Sequence, residues 1–247
     1  MSFTNTVRAS SERTQSRIVL ALDVENDDHQ ALIMECNEIL ENVGEYICAV
    51  KINRQLVLSI GLPAVSELVK NAHERSLPVI MDAKLNDVGH TNSFMMRSYI
   101  HAGFDAVIAS PVTGWKGGMD SVFELARKGG KGVILLVYMS NPGAEQFYSM
   151  ITSTADGQKP IFERFAHMAI EWGADGIVVG ATRPEIIRQV RSLVGPSMEI
   201  YSPGVGTQGG DAKEAIEAGA TYLIVGRTIY ASPSPRDVAR AIYESIK

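Results

Sequence analysis

The apolar positions of this 247-residue chain gather into eight short, nearly unbroken runs separated by longer stretches with helical spacing. The runs are RIVLALD (17–23), YICAVKI (46–52), PVIMDAK (78–84), DAVIAS (105–110), GVILLVY (132–138), GIVVG (176–180), EIYSPG (199–204) and YLIVG (222–226). Runs without polar alternation belong to strands covered on both faces, as in parallel sheets wrapped by helices. Amphipathic stretches at 29–42, 64–75, 162–172 and 184–193 supply the covering helices. Eight strand–helix units with no break in composition predict a single (β/α)8 barrel over residues 17–247; an open doubly wound sheet is the rival. Three segments repeat one outline: HAGFDAVIAS (101–110), EWGADGIVVG (171–180) and EAGATYLIVG (217–226). In each, a helix ends, a glycine takes the left-handed cap position and a strand follows at once.

The first 16 residues, MSFTNTVRASSERTQS, are rich in serine and threonine and have no apolar stretch of the kind a secretory signal needs. They are expected as a poorly ordered tail. The composition is 45% hydrophobic and 21% charged, which excludes disordered, collagenous and disulfide-scaffold classes. Apolar runs of about seven residues fall far short of the roughly 20 a membrane helix needs. Net charge is −5 and no run of five like charges occurs, so the basic footprint for nucleic acid or an anionic membrane is missing. The two cysteines, Cys36 and Cys48, have no metal-ligand spacing. They point to a reducing, cytoplasmic setting and against structural zinc.

In a barrel of this type the reactive groups sit at the C-terminal ends of the strands. Charged residues there interrupt otherwise apolar runs: Asp23 on the first strand, Lys51 on the second, Asp82 and Lys84 on the third. Residues two apart on a strand share a face, so Asp82 and Lys84 are expected to enter the barrel together. A buried ammonium needs a partner, and Lys51 with Asp82 offers an alternating row of charge continued on the loop by Asp87. The bland alternative is a structural salt-bridge network. SPGVGTQGGD (202–211), after the seventh strand, contains a literal G-x-G-x-x-G. A dinucleotide fingerprint belongs to the first βα unit and carries an acidic residue about 20 positions on, where this chain has Arg227. Glycine-dense backbone after strand seven, with Gly226 and Arg227 after strand eight, matches the phosphate site of barrels instead. The segment 139–159 is long for a βα connection and reads as a lid; Ser140 sits at its start. Thr91 follows Asp87 and serves equally well as a helix cap. WKGGM (115–119) is glycine-dense with no chemistry attached to it.

Assembled, these residues resemble the orotidine 5′-phosphate decarboxylase family over nearly all of the chain beyond the tail. The D-x-K-x-x-D element stands at Asp82, Lys84 and Asp87, with Val88 where the family commonly has isoleucine. Lys51, Asp23, SPGVGTQGG and Gly226-Arg227 fill the family's other positions. The resemblance implies a homodimer that decarboxylates orotidine 5′-phosphate without metal or cofactor. It implies Lys84 as proton donor to C6, Asp82 near the departing carboxylate, Asp87 contributed by the partner subunit and Lys51 completing the tetrad. It places Asp23 and Thr91 at ribose hydroxyls, Ser140 at the pyrimidine, and Pro203, Gly204, Gln208, Gly209, Gly226 and Arg227 around the phosphate. The sister barrels 3-keto-L-gulonate 6-phosphate decarboxylase and hexulose 6-phosphate synthase use magnesium and an enediolate, and their pattern lacks the strand-two lysine. A catalytically silent phosphate-binding barrel is the reading from outside enzymology.

Overall fold

The computed structural model describes residues 2–154 and 157–247. Eight parallel strands close into a barrel: β1 (Ile18–Ala21), β2 (Ala49–Asn53), β3 (Val79–Leu85), β4 (Ala106–Ala109), β5 (Gly132–Tyr138), β8 (Gly176–Val179), β9 (Ile200–Pro203) and β10 (Tyr222–Val225). The ring closes where β1 pairs with both β2 and β10. Helices α2 (His29–Val43), α3 (Arg54–Glu74), α4 (Gly89–His101), α5 (Asp120–Gly129), α7 (Ile161–Trp172), α8 (Pro184–Val194) and α11 (Pro235–Ser245) form the outer layer, and the short α9 (Ala212–Glu217) and α10 (Arg227–Tyr230) precede and follow β10 in the chain. The 3.6-residue period places their apolar stripes: α8 buries Ile186, Ile187, Val190 and Val194. The apolar stretch expected at 64–75 begins ten residues earlier, and α3 bends at Gly61, whose φ is 79°, just before Pro63.

The internal repeat has a structural cause. Asp105, Asp175 and Thr221, each just before a strand, accept hydrogen bonds from a backbone N–H at the start of the neighbouring strand, its first or second residue: Val79, Val133 and Ile200. The glycine two positions earlier has positive φ in all three cases, which lets the helix end and the chain turn into the barrel within three residues.

Residues 2–16 are not a loose tail. Phe3–Thr14 form helix α1, with the Ser2 hydroxyl accepting from the Asn5 N–H at its start. Phe3, Val7 and Ser10 fall on one face and are buried. Phe3 and Val7 join the barrel's inner cluster with Ile80, Ile134, Tyr201 and Tyr222. A side chain at Gly132 would lie 2.4 Å from the Phe3 ring, so the missing Cβ at the start of β5 makes the seat for Phe3. Arg8 donates to Glu199 at 2.5 Å. The serine–threonine composition hid a plug for the N-terminal end of the barrel. Phe3→Ala is expected to cost about 3–5 kcal/mol of stability, as for other buried aromatics. Urea unfolding measures this loss. Turnover per folded molecule should be unchanged, because the plug lies at the end opposite the strand-end charges.

The long connection after β5 carries its own elements: α6 (Ala144–Tyr148) and an antiparallel hairpin of β6 (Ile151–Thr154) and β7 (Gly157–Pro160). Arg183 ties α6 to the start of α8 through Glu145 at 2.7 Å. Residues 155 and 156 of the expected lid lie outside the described residues. Among the described residues no helix is long and apolar enough to cross a membrane.

Candidate active site

The C-terminal ends of the strands surround a cavity of about 210 Å³. Lys51 enters it from β2 and is only 4% exposed. Its Nζ lies 3.1 Å from Asp23 Oδ2 and 3.1 Å from Asp82 Oδ2, while Lys84 Nζ lies 2.7 Å from Asp82 Oδ1. The four side chains form one alternating row, Asp23–Lys51–Asp82–Lys84. Burial lowers the affinity of Lys51 for its proton, but Asp82 and Asp23 outweigh it and hold the ammonium above its usual range. For Asp82, burial favours the neutral acid, yet Lys51 and Lys84 keep the carboxylate ionised below its ordinary value. Lys84 keeps about a quarter of its side-chain surface open to the cavity, and Asp82 is its single salt-bridge partner among the described residues.

Strand alternation alone does not account for the meeting of Asp82 and Lys84. Pairing between β3 and β4 shifts register between Met81 and Leu85, and Lys84 has φ of 46°. A non-glycine residue in the left-handed region carries a local conformational cost and concentrates at functional sites. The bulge turns Lys84 into the mouth of the barrel.

Ser140 stands at the top of β5 between two glycines. A Cβ at Gly180 would lie 2.7 Å from Ser140 Cα, and one at Gly204 would lie 2.9 Å from Ser140 Cβ. Its backbone carbonyl accepts from the Thr182 hydroxyl at 2.9 Å. The Ser140 hydroxyl has no hydrogen-bond partner among the described residues and borders the cavity. Pro203, Gly204, Gln208, Gly226 and Arg227 border it too. Arg227 is exposed and carries no ion pair among the described residues, which leaves its guanidinium open to an anion. The loop after β9 is pinned to the loop after β10 by Thr228, whose hydroxyl takes the Thr207 N–H at 3.0 Å and lies 3.2 Å from the Val205 carbonyl. A Cβ at Gly206 would fall 2.3 Å from that hydroxyl, so glycine is required there.

Three expected residues lie elsewhere. The Gly209 N–H closes the turn onto Gly206 O at 2.7 Å, and Gly209 does not border the cavity. Asp87 is exposed, off its own chain's cavity, and forms no ion pair among the described residues. Thr91 sits in the first turn of α4, also off the cavity. Val88, Thr91 and Phe94 follow three-residue spacing along the same side of α4, and Val88 and Phe94 are more than 60% exposed. Asn53, Thr207, Thr228 and Tyr230 border the cavity without having been anticipated. Asn53 was within reach of sequence reasoning, because it shares a strand face with Lys51 two positions earlier. The others depend on how two loops meet.

The comparisons with known proteins agree with one another. The family model described as the orotidine 5′-phosphate decarboxylase / HUMPS family matches residues 16–242. The orotidine 5′-phosphate decarboxylase of Methanosarcina mazei is 40% identical over 230 residues, 93% of this chain and 94% of that protein. The solved orotidine 5′-monophosphate decarboxylase of Methanocaldococcus jannaschii, complexed with the inhibitor BMP, matches with a TM-score of 0.81 at 30% identity, covering 94% of this chain and 99% of that one. The UMP synthase of Leishmania donovani matches with a TM-score of 0.87 at 28% identity, covering 100% of this chain and 56% of that one.

Proposed function

The chain belongs to the orotidine 5′-phosphate decarboxylase family and is a carboxy-lyase of pyrimidine biosynthesis; it decarboxylates orotidine 5′-phosphate, and we propose that it does so without metal or organic cofactor, Lys84 giving the proton to C6. The bond from C6 to its carboxylate breaks, carbon dioxide leaves, and the electron pair left on C6 takes a proton from the Lys84 ammonium. Solvent at the partly open Lys84 then restores that proton, so one proton is consumed per uridine 5′-phosphate formed. The observation that carries this reading is the alternating row. A fixed ammonium beside the developing carbanion is preorganised electrostatic stabilisation, available without rearrangement during the reaction. Asp82 orients that ammonium and stands near where the departing carboxylate would lie. Lys51 occupies the space between Asp23 and Asp82 that a dication would need to draw them together. Among the described residues no three His, Cys, Asp or Glu side chains converge as metal ligands.

For the rest of the substrate, Asp23 would meet ribose hydroxyls and Ser140 the pyrimidine ring. Gly204, Gln208, Gly226 and Arg227 would hold the phosphate, remote binding energy that positions the ring over Lys84. The working form is a homodimer in which Asp87 and Thr91 reach the partner's cavity. The exposure of Asp87, Val88 and Phe94 along the start of α4, with Thr91 half-buried among them, supports this. Both cysteines are free and buried, which suits a reducing cytoplasm.

Protein dialysed against EDTA should convert orotidine 5′-phosphate to uridine 5′-phosphate at an undiminished rate, followed by the absorbance change of the pyrimidine. A rate that collapses and returns only with magnesium would favour the enediolate chemistry of the sister barrels.

A further inference from the structure

We infer that Asn92 is a positioning residue for Asp87, a clamp in one subunit that sets the geometry of the other subunit's site. The inference rests on the cross-subunit reading of Asp87 given above. Asn92 lies on the first turns of α4 and is fully buried. Its carboxamide brackets the backbone of one residue: Oδ1 accepts the Asp87 N–H at 3.2 Å, and Nδ2 donates to the Asp87 carbonyl at 2.5 Å. The same Nδ2 donates to the Gly118 carbonyl at 3.2 Å. Both ends of the amide are thereby used, and the peptide units on either side of Asp87 are held by one rigid group. The Asp87 carboxylate is left with one oxygen turned back onto the Val88 N–H at 2.7 Å and the other without a partner among the described residues. A fixed backbone with a free carboxylate oxygen suits a side chain presented to another molecule.

The clamp also explains the glycine-dense turn Trp115–Met119. A Cβ at Gly118 would lie 2.8 Å from the Thr113 carbonyl, and one at Gly89 would lie 3.2 Å from the Gly117 backbone. Bare backbone on both sides lets the turn close on the start of α4, which brings Gly118 O within reach of Asn92. The turn is itself anchored: Asp120 accepts the Gly117 N–H at 2.9 Å, Ser121 donates to Gly89 O at 3.1 Å, and Trp115 packs on Phe123 and Trp172. Asn92 therefore ties the Asp87 loop to the rigid α4–α5 layer of its own barrel.

Heterodimers test this, purified from co-expressed chains carrying two different tags. The Asn92→Ala homodimer should lose about 10²-fold in kcat, the scale of a small misplacement of a reacting group. Its affinity for uridine 5′-phosphate should stay within about threefold, since the cavity's own phosphate contacts are intact. Paired with a Lys84→Ala chain, the Asn92→Ala subunit keeps its own Lys84 and receives Asp87 from a chain whose Asn92 is unaltered. That heterodimer should recover about half the wild-type rate per dimer. Recovery no better than the two homodimers would overturn the inference, because Asn92 would then act within its own barrel; so would an Asn92→Ala homodimer with unchanged kcat. The Asp87→Ala and Lys84→Ala pair is the control. If it recovers half the rate while the Asn92 pair does not, the clamp alone fails. If the control stays inactive, the cross-subunit role of Asp87 fails, and the clamp with it. Asn92→Asp, equal in shape but turning an acceptor toward two carbonyls, serves in the same pairing should the alanine variant not fold.

Discussion

Lys84→Ala is expected to lower kcat/KM by at least about 10⁴-fold while affinity for uridine 5′-phosphate changes by less than about threefold. Two contributions vanish together: the transferable proton and the fixed charge beside C6. General acid catalysis supplies roughly 10²–10⁴ and one preorganised electrostatic contact roughly 10²–10³. The phosphate-side residues, Gly204, Gln208 and Arg227, do not touch Lys84, so nucleotide binding should persist in the folded variant. Single-turnover absorbance gives the rate and titration calorimetry gives the affinity. Turnover within tenfold of the wild type would remove Lys84 from the proton-donor role and direct attention to another acid at the cavity. The backbone sharpens the choice of residue: a lysine held at φ of 46° is an unfavourable way to build a salt bridge, and it suits a group whose direction matters.

Lys51→Met should unfold the protein more readily by about 3–5 kcal/mol near neutral pH, the cost of stranding a buried carboxylate. For a domain of this size that corresponds to a fall of roughly 6–20 °C in Tm. Among the described residues Asp23 loses its only salt bridge, and Asp82 retains only Lys84. The pH dependence follows from the directions of the two shifts. Asp82 is depressed in the folded state, so its contribution is present above the ordinary aspartate value of about 4 and is lost as pH falls through the depressed value. Lys51 is raised, so its contribution is complete below the ordinary lysine value of about 10.4 and is lost as pH rises through the raised value. The gap between wild type and variant should thus be flat from about pH 5 to 9 and narrow in acid. Denaturant midpoints across that range measure it. A gap that widened in acid would mean that the row does not hold Asp82 ionised. Activity should fall along with stability, because Asp82 orients Lys84 and is itself held by Lys51.

The site was legible where charge broke an apolar run. Asp23, Lys51, Asp82 and Lys84 stand at the ends of three neighbouring strands that burial would otherwise fill with aliphatic residues, and strand ends converge in any closed barrel. The glycine pattern around Arg227 was legible for a related reason, since glycine at 204 and 206 marks backbone approached closely by Ser140 and Thr228. Helix α1 escaped notice because two large apolar residues, Phe3 and Val7, in twelve are too few to suggest a buried face. They gain meaning only against Gly132 at the barrel's lower end. Asp87 and Thr91 lie off their own chain's cavity, which no spacing along one chain reveals.

Local spacing determined the eight strands, the faces they bury and the carboxylate–lysine sets that reach the barrel mouth, because period and burial are properties of neighbouring residues. The tertiary structure alone decided the N-terminal plug, the bulge that turns Lys84 inward and the amide that holds Asp87. Each of these is a contact between segments far apart in sequence or a backbone angle imposed by the ring of strands. Such arrangements exist only after the barrel has closed.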